Sequence, residues 1–132
     1  MKVLLDTDVT SYIFGHRAEP VRRRFLALAV GDVGISSITA AELSYGVALN
    51  RSERNRRVVE RALGALVTVP FDLAAARAYG EVRVTLQKLG TPIGPLDMLI
   101  AAHAISLDVP LATNNLREFR RVPGLRVENW LA

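Results

Sequence analysis

The sequence contains no cysteine. That excludes disulfides, thiolate zinc sites and a cysteine nucleophile, and it suits a reducing cytosol. It also lacks a long apolar run. The longest, residues 98–105, is interrupted by His103 and is far too short to span a membrane. One lysine and three apolar residues precede the first acid, so no signal peptide is expected. No Ser-His-Asp order, phosphate-binding glycine-rich loop or histidine-rich zinc spacing is present. Nor is there an internal repeat, a low-complexity segment or a linker. Lysine is nearly missing: two residues, against 15 arginines.

What remains is a chain of 132 residues, half of them hydrophobic, which fits one domain over residues 1–132 with a core that needs no covalent staples. Its net charge is +4. The arginines cluster at Arg22, Arg23 and Arg24, at Arg51, Arg54, Arg56, Arg57 and Arg61, and at Arg117, Arg120, Arg121 and Arg126. Many belong on solvated helix faces, but guanidinium forks also match phosphate geometry. A basic domain that holds a few oddly placed acids is the combination expected of a nuclease: a basic rim for phosphates and an acidic centre for metal.

Short apolar stretches alternate with helical ones. Strands are expected at residues 2–6, 33–36, 67–69, 111–113 and 125–128. Helices are expected at 9–14, 20–30, 39–49, 53–66, 73–89 (capped by Asp72 and ended by Gly90), 95–107 and 116–119. Such alternation predicts an α/β fold of three layers, with a mostly parallel sheet of about five strands covered on both faces.

The acids carry the functional signal. Val3, Leu4 and Leu5 run directly into Asp6, Thr7 and Asp8, a short buried strand opening onto two carboxylates. Ligands of parallel sheets collect beyond the carboxyl ends of the strands. A carboxylate there is poised for a hard divalent cation, whereas core packing does not explain it, because a buried unpaired carboxylate is costly. Asp6 could instead cap the next helix, although Asp8 would serve as well. Glu42 closes Thr39-Ala40-Ala41-Glu42, a capping-box pattern in which the glutamate folds back on its own helix start; that start nevertheless follows the second strand, at the edge that carries Asp6. Asp97 falls in the first turn of a helix that is apolar nearly all round, on the face of Ile100, Ala101 and Ala104. The helix macrodipole favours an acid there, but one aimed inward needs a partner, and a metal shared with Asp6 is suitable. Thr113, Asn114 and Asn115 end the fourth strand as weak ligands or as an ordinary turn. His103 reads as packing within its helix, and nothing marks His16 as catalytic.

Together these segments resemble the PIN domain, specifically the VapC-type toxin ribonucleases of bacterial toxin–antitoxin pairs. The resemblance rests on Leu4-Leu5-Asp6-Thr7-Asp8, on Ser36-Ser37-Ile38-Thr39-Ala40-Ala41-Glu42-Leu43 with Gly46, on Gly94-Pro95-Leu96-Asp97-Met98-Leu99-Ile100-Ala101-Ala102-His103-Ala104, and on Leu111-Ala112-Thr113-Asn114-Asn115-Leu116-Arg117-Glu118-Phe119. The tail from Val122 to Trp130 is similar to that of plasmid and enteric members. The resemblance implies a PIN-like α/β/α domain, with Asp6, Glu42 and Asp97 as the catalytic acids. Asp6 and Asp97 would hold Mg²⁺ or Mn²⁺ for hydrolysis of RNA phosphodiesters, and Glu42 would complete the shell or orient water. Thr7, Asp8, Ser37, Thr113 and Asn115 would contact water or phosphate. It further implies a cytoplasmic homodimer, tRNA as the substrate, and inhibition by a VapB-type antitoxin. Two positions depart from the family pattern: Asp8 stands where many members have asparagine, and Asn115 where many have a fourth acid.

Two other readings fit parts of the chain. Asp6-Thr7-Asp8-Val9-Thr10 matches the Asp-x-Asp-x-Thr signature of haloacid-dehalogenase-like phosphohydrolases, in which Asp6 would be the nucleophile and Asp8 the acid–base. The acidic pair that family needs after the fourth strand is replaced by Asn114-Asn115. A catalytically degenerate PIN module that binds RNA without cutting it is favoured by Asn115, and opposed by three inward carboxylates.

Overall fold

The computed structural model describes residues 1–15 and 19–131; His16 lies outside them. The chain runs β1 (Val3–Leu5), α1 (Thr7–Gly15), α2 (Glu19–Leu26), β2 (Val33–Ser36), α3 (Ser37–Asn50), α4 (Glu53–Ala65), β3 (Val67–Val69), α5 (Leu73–Leu89), α6 (Pro95–Leu107), β4 (Leu111–Ala112), α7 (Leu116–Phe119) and β5 (Val127–Glu128). The five strands lie in the order β3-β2-β1-β4-β5, and every neighbouring pair is parallel.

Alternation along the central strands divides the core. Leu4 points to one face with Leu111, where Val82 and Leu86 of α5, Ile100 and Ala101 of α6, and Phe119 of α7 cover it. Val3, Leu5 and Ala112 point to the other, under Val9 and Ile13 of α1, Val21 of α2 and Ala62 of α4. These are the two helical layers, and strands buried on both sides are apolar throughout, as parallel strands are. Helix α3 lies against both clusters: Ile38 packs on the first and Ala40 on the second. No helix among the described residues is long and apolar enough to cross a membrane.

Several boundaries differ from expectation for identifiable reasons. Helix α2 stops at Leu26 instead of residue 30. The chain turns there, with Leu28 N–H donating to the Phe25 carbonyl at 3.1 Å and Asp32 N–H to that of Ala29 at 3.0 Å. Leu28 thereby joins the core, while Val30 is left in solvent. Gly31, at φ +93°, serves this turn and not a helix cap. The buried stripe of α5 is Ala75, Val82 and Leu86, while Leu73 and Leu89 are exposed, one at each end of the helix.

The strand order places a switch point at β1. The chain leaves β1 toward β2 and β3, then returns to lay β4 and β5 on the opposite side. The crevice at the carboxyl ends of β1 and β4 is therefore open to a ligand.

Candidate active site

Asp6 lies one residue beyond β1 and is only 5% exposed. Its Oδ1 accepts from Val9 N–H at 2.9 Å, so Asp6 caps α1 after all, and Asp8 does not. Capping and the cleft are both served because the other oxygen, Oδ2, faces β4 and accepts from the Thr113 hydroxyl. Thr113 Oγ1 in turn accepts from Asn115 N–H at 2.9 Å. Burial pushes the Asp6 carboxyl up to about 6, against the lowering effect of those two hydrogen bonds, with the nearby charges of Asp8 and Glu42 adding to the rise.

Glu42 does not fold back on its helix. The N-cap of α3 is Ser36, whose hydroxyl accepts from Ile38 N–H at 3.0 Å, so the helix begins three residues earlier than the capping-box pattern implies. Thr39 is thereby inside the helix and buried, and Glu42 points across to α1, where its Oε1 accepts from the Thr7 hydroxyl at 2.7 Å.

Asp97 stands in the first turn of α6, after Gly94 and Pro95. Burial raises its carboxyl to about 8, helped by a hydrogen bond with Glu118 and by the charges of Glu118, Glu42 and Asp6. Glu118 is shifted down, first by that same bond to Asp97. Burial and the neighbouring Glu118 thus favour the protonated form of Asp97.

Glu118 is the acid that reading the sequence missed. It reaches the cleft from α7, where Gly94 N–H donates to its Oε1 at 2.9 Å and the Asn115 amide to its Oε2 at 2.8 Å. Asn115 therefore orients a carboxylate in place of being one. The available signal was the spacing of Asn115 and Glu118, three residues apart across a helical turn, where an amide and a carboxylate meet. A Cβ at Gly94 would crowd Asp97 Oδ2 at 3.3 Å and lie in ordinary contact with Glu118 Oε1 at 3.8 Å.

Asp6, Thr7, Asp8, Glu42, Asp97, Asn115 and Phe119 line a cleft of about 150 Å³. Ser37 is not among them; its hydroxyl oxygen accepts from Phe71 N–H at 3.0 Å and fixes the loop before α5. Larger hollows elsewhere carry no such acids.

None of the five carboxylates forms an ion pair with lysine or arginine among the described residues. Among the described residues no three of these groups already converge as a closed ligand cage either. The donor set is nevertheless the one a hard cation takes: several carboxylate oxygens, hydroxyls and an amide, with excess negative charge now relieved where Asp97 keeps its proton. A divalent ion relieves the same charge. The donors fit such a group.

The PIN domain family pattern matches residues 3–125. A tRNA(fMet)-specific endonuclease VapC from Salmonella typhimurium is 42% identical over 98% of both chains. Among solved structures, the DNA-bound VapBC of Salmonella typhimurium has a TM-score of 0.89 at 42% identity, covering 98% of each chain. VapBC2 of Rickettsia felis, bound to a DNA fragment from its promoter, has a TM-score of 0.89 at 35% identity, covering 98% of this chain and 99% of that one. These relatives leave the haloacid-dehalogenase reading without support. With the sheet order, the acidic crevice and these relatives in agreement, the chain belongs to the VapC family of PIN-domain proteins.

Proposed function

We propose that this chain is a divalent-metal-dependent endoribonuclease, a VapC-type toxin that cuts RNA. The observation that carries this reading is the gathering of Asp6, Asp8, Glu42 and Asp97 around one crevice with Glu118 beside Asp97; Arg121 acts on Glu118, but no lysine or arginine ion pair closes on these acids among the described residues. A pure phosphate binder gains nothing from such a cluster. The degenerate-site reading drew on a missing fourth acid, and Glu118 supplies one.

Asp6, Asp97 and Glu118 would hold Mg²⁺ or Mn²⁺. That ion lowers the pKa of bound water and offsets charge on the phosphoryl oxygens. Thr113 and the α1 backbone fix Asp6, Thr7 fixes Glu42, and Asn115 with Gly94 fixes Glu118. Glu42, set across the cleft, is placed to orient water. Arginines of the rim would take the RNA backbone. The names of the relatives support tRNA as the substrate and a VapB-type antitoxin as the partner; a cytoplasmic homodimer is what the family resemblance implies.

The test is cleavage of total cellular RNA by antitoxin-free protein in Mg²⁺ or Mn²⁺. Discrete fragments that disappear with EDTA support the reading, and mapping their ends names the bond. Folded protein that leaves RNA intact, or cleavage indifferent to EDTA, overturns it.

Two variants probe the newly found part of the site. Glu118→Gln is expected to weaken Mn²⁺ binding about tenfold. It should also lower the pH at which Asp97 loses its proton, because a neighbouring charge is gone; a Mn²⁺ titration and carboxyl NMR measure the two effects. Gly94→Ala keeps a permitted backbone, at φ −56° and ψ 145°, and is expected to hold stability within about 1 kcal/mol while slowing cleavage several-fold as its methyl crowds Asp97. Denaturant unfolding beside a cleavage assay separates those outcomes.

A further inference from the structure

We infer that His103 is a positioning residue for the acidic cleft, acting through Ser36 to hold α6 and α3, which carry Asp97 and Glu42, in fixed relation. The inference rests on the proposed metal centre and concerns a residue outside it. His103 lies six residues beyond Asp97, about 9 Å further along the helix, and does not line the cleft.

His103 is buried, at 1% exposure, and Ser36 is fully buried. Its Nδ1 and Ser36 Oγ stand 2.8 Å apart, joining segments 67 residues distant in the chain. Ser36 is the last residue of β2 and the cap of α3, so the same oxygen that meets the imidazole also accepts from Ile38 N–H. Phe71 closes the junction from the loop before α5: its ring meets the imidazole edge-on, with centroids 5.3 Å apart, and its N–H donates to Ser37 Oγ. One imidazole therefore sits where β2, α3, α6 and the α5 approach come together.

The proton count gives the bond a direction. Burial holds the imidazole neutral, lowering its pKa, so only one ring nitrogen carries hydrogen. If Nδ1 carried it, the Ser36 hydroxyl hydrogen would have no acceptor. We assign Ser36 as the donor to Nδ1, which puts the hydrogen on Nε2, an atom without a hydrogen-bond partner among the described residues. Ser36 then uses its hydrogen on α6 and a lone pair on α3.

Among the hydrogen bonds of the described residues, this is the one that ties α6 to the β2–α3 junction. Beside it, the charge of Glu42 acts on Asp97 across the cleft, and Ile38 of α3 packs on the apolar cluster that holds Ile100 and Ala101 of α6; apolar burial is non-directional. It resists separation but not sliding. A hydrogen bond between two buried groups fixes the register along the helix, and Asp97 moves with that register.

Three variants test this by Mn²⁺ titration followed by EPR, beside thermal melting. His103→Phe keeps the ring bulk and loses the bond. His103→Asn loses bulk, but its amide oxygen can accept from Ser36 where Nδ1 did. The expected result is a crossing: the Phe variant melts higher than the Asn variant yet binds Mn²⁺ about tenfold more weakly than the parent, while the Asn variant binds within about threefold of it. Ser36→Ala should weaken Mn²⁺ binding, and adding His103→Phe to it should weaken binding no further. Mn²⁺ affinity that follows melting temperature across the series overturns the inference, as does a folded His103→Phe protein that binds like the parent. If that variant does not fold, the Ser36→Ala and His103→Asn pair decides by the same criterion. A parent that binds no Mn²⁺ overturns the metal centre itself, and this inference with it.

Discussion

Asp97→Asn is expected to melt about 5 °C higher than the parent at pH 8 without divalent cations, and to cut RNA about 10²–10³-fold more slowly. Both effects come from one carboxyl group. In the folded protein Asp97 keeps its proton up to about pH 8, chiefly because of burial and then because of Glu118; in the unfolded chain it ionises near the ordinary value of about 3.9. Between those limits the folded state binds the extra proton, so the contribution to stability is full below the lower value and is lost as pH rises through the upper one. Asp6 acts in the same direction over a narrower window that closes near 6. The metal-free parent is therefore least well served at pH 8, where a charge must enter a crevice that already holds others. Asparagine has no charge to gain, and its melting temperature should depend less on pH above 6. It also has no charge to give a cation, which removes the activity. Melting curves from pH 5 to 9, read with a cleavage assay, check both. An asparagine variant that melts lower than the parent at every pH would show that Asp97 is structural.

Phe119→Ala should have the largest effect on folding, costing about 3–5 kcal/mol of a total that is about 5–15 for domains in general. The ring is 1% exposed and lies in the cluster of Leu4, Ile100 and Leu111, while its edge lines the acidic cleft. Helix α7 has only four residues and no side-chain cap from Asn115, so its packing through Phe119 is what holds it. The neighbouring residue is Glu118. Truncating the ring should thus release an acid as well as open a cavity, and residual folded protein should bind Mn²⁺ poorly. Phe119→Leu, which keeps most of the volume, is expected to cost about 1.5 kcal/mol or less. Urea unfolding of the two variants distinguishes them; an alanine variant within 1 kcal/mol of the parent would contradict the burial argument.

The strands, the order of helices and the convergence of Asp6, Glu42 and Asp97 were legible because each depends on short-range patterns: apolar runs, turn residues, and acids placed just past strand ends. What was not legible depended on choices between equally good local partners. Ser36 and Thr39 both suit an N-cap, and the tertiary bond from Ser36 to His103 accompanies the earlier start. Asp6 was read as either a cap or a site residue, whereas its two oxygens let it be both. Glu118 was not singled out because its meaning lies in Gly94, 24 residues earlier, whose backbone N–H donates to it. The arginine tract that runs into the last turn of α2 gave no warning that the helix would end before Leu28.

The order of strands in the sheet has a consequence for the timing of synthesis. Asp6 is made almost first, at the end of the central strand, but β4 and Thr113, which hold its second oxygen, follow more than a hundred residues later. Glu118 comes later still. A growing chain can form the β1–β2 pair and α3 while this crevice has only one wall. Asp6 and Glu42 therefore meet Asp97 and Glu118 only after the chain has been made through α7, which sets the order in which the walls of the crevice form.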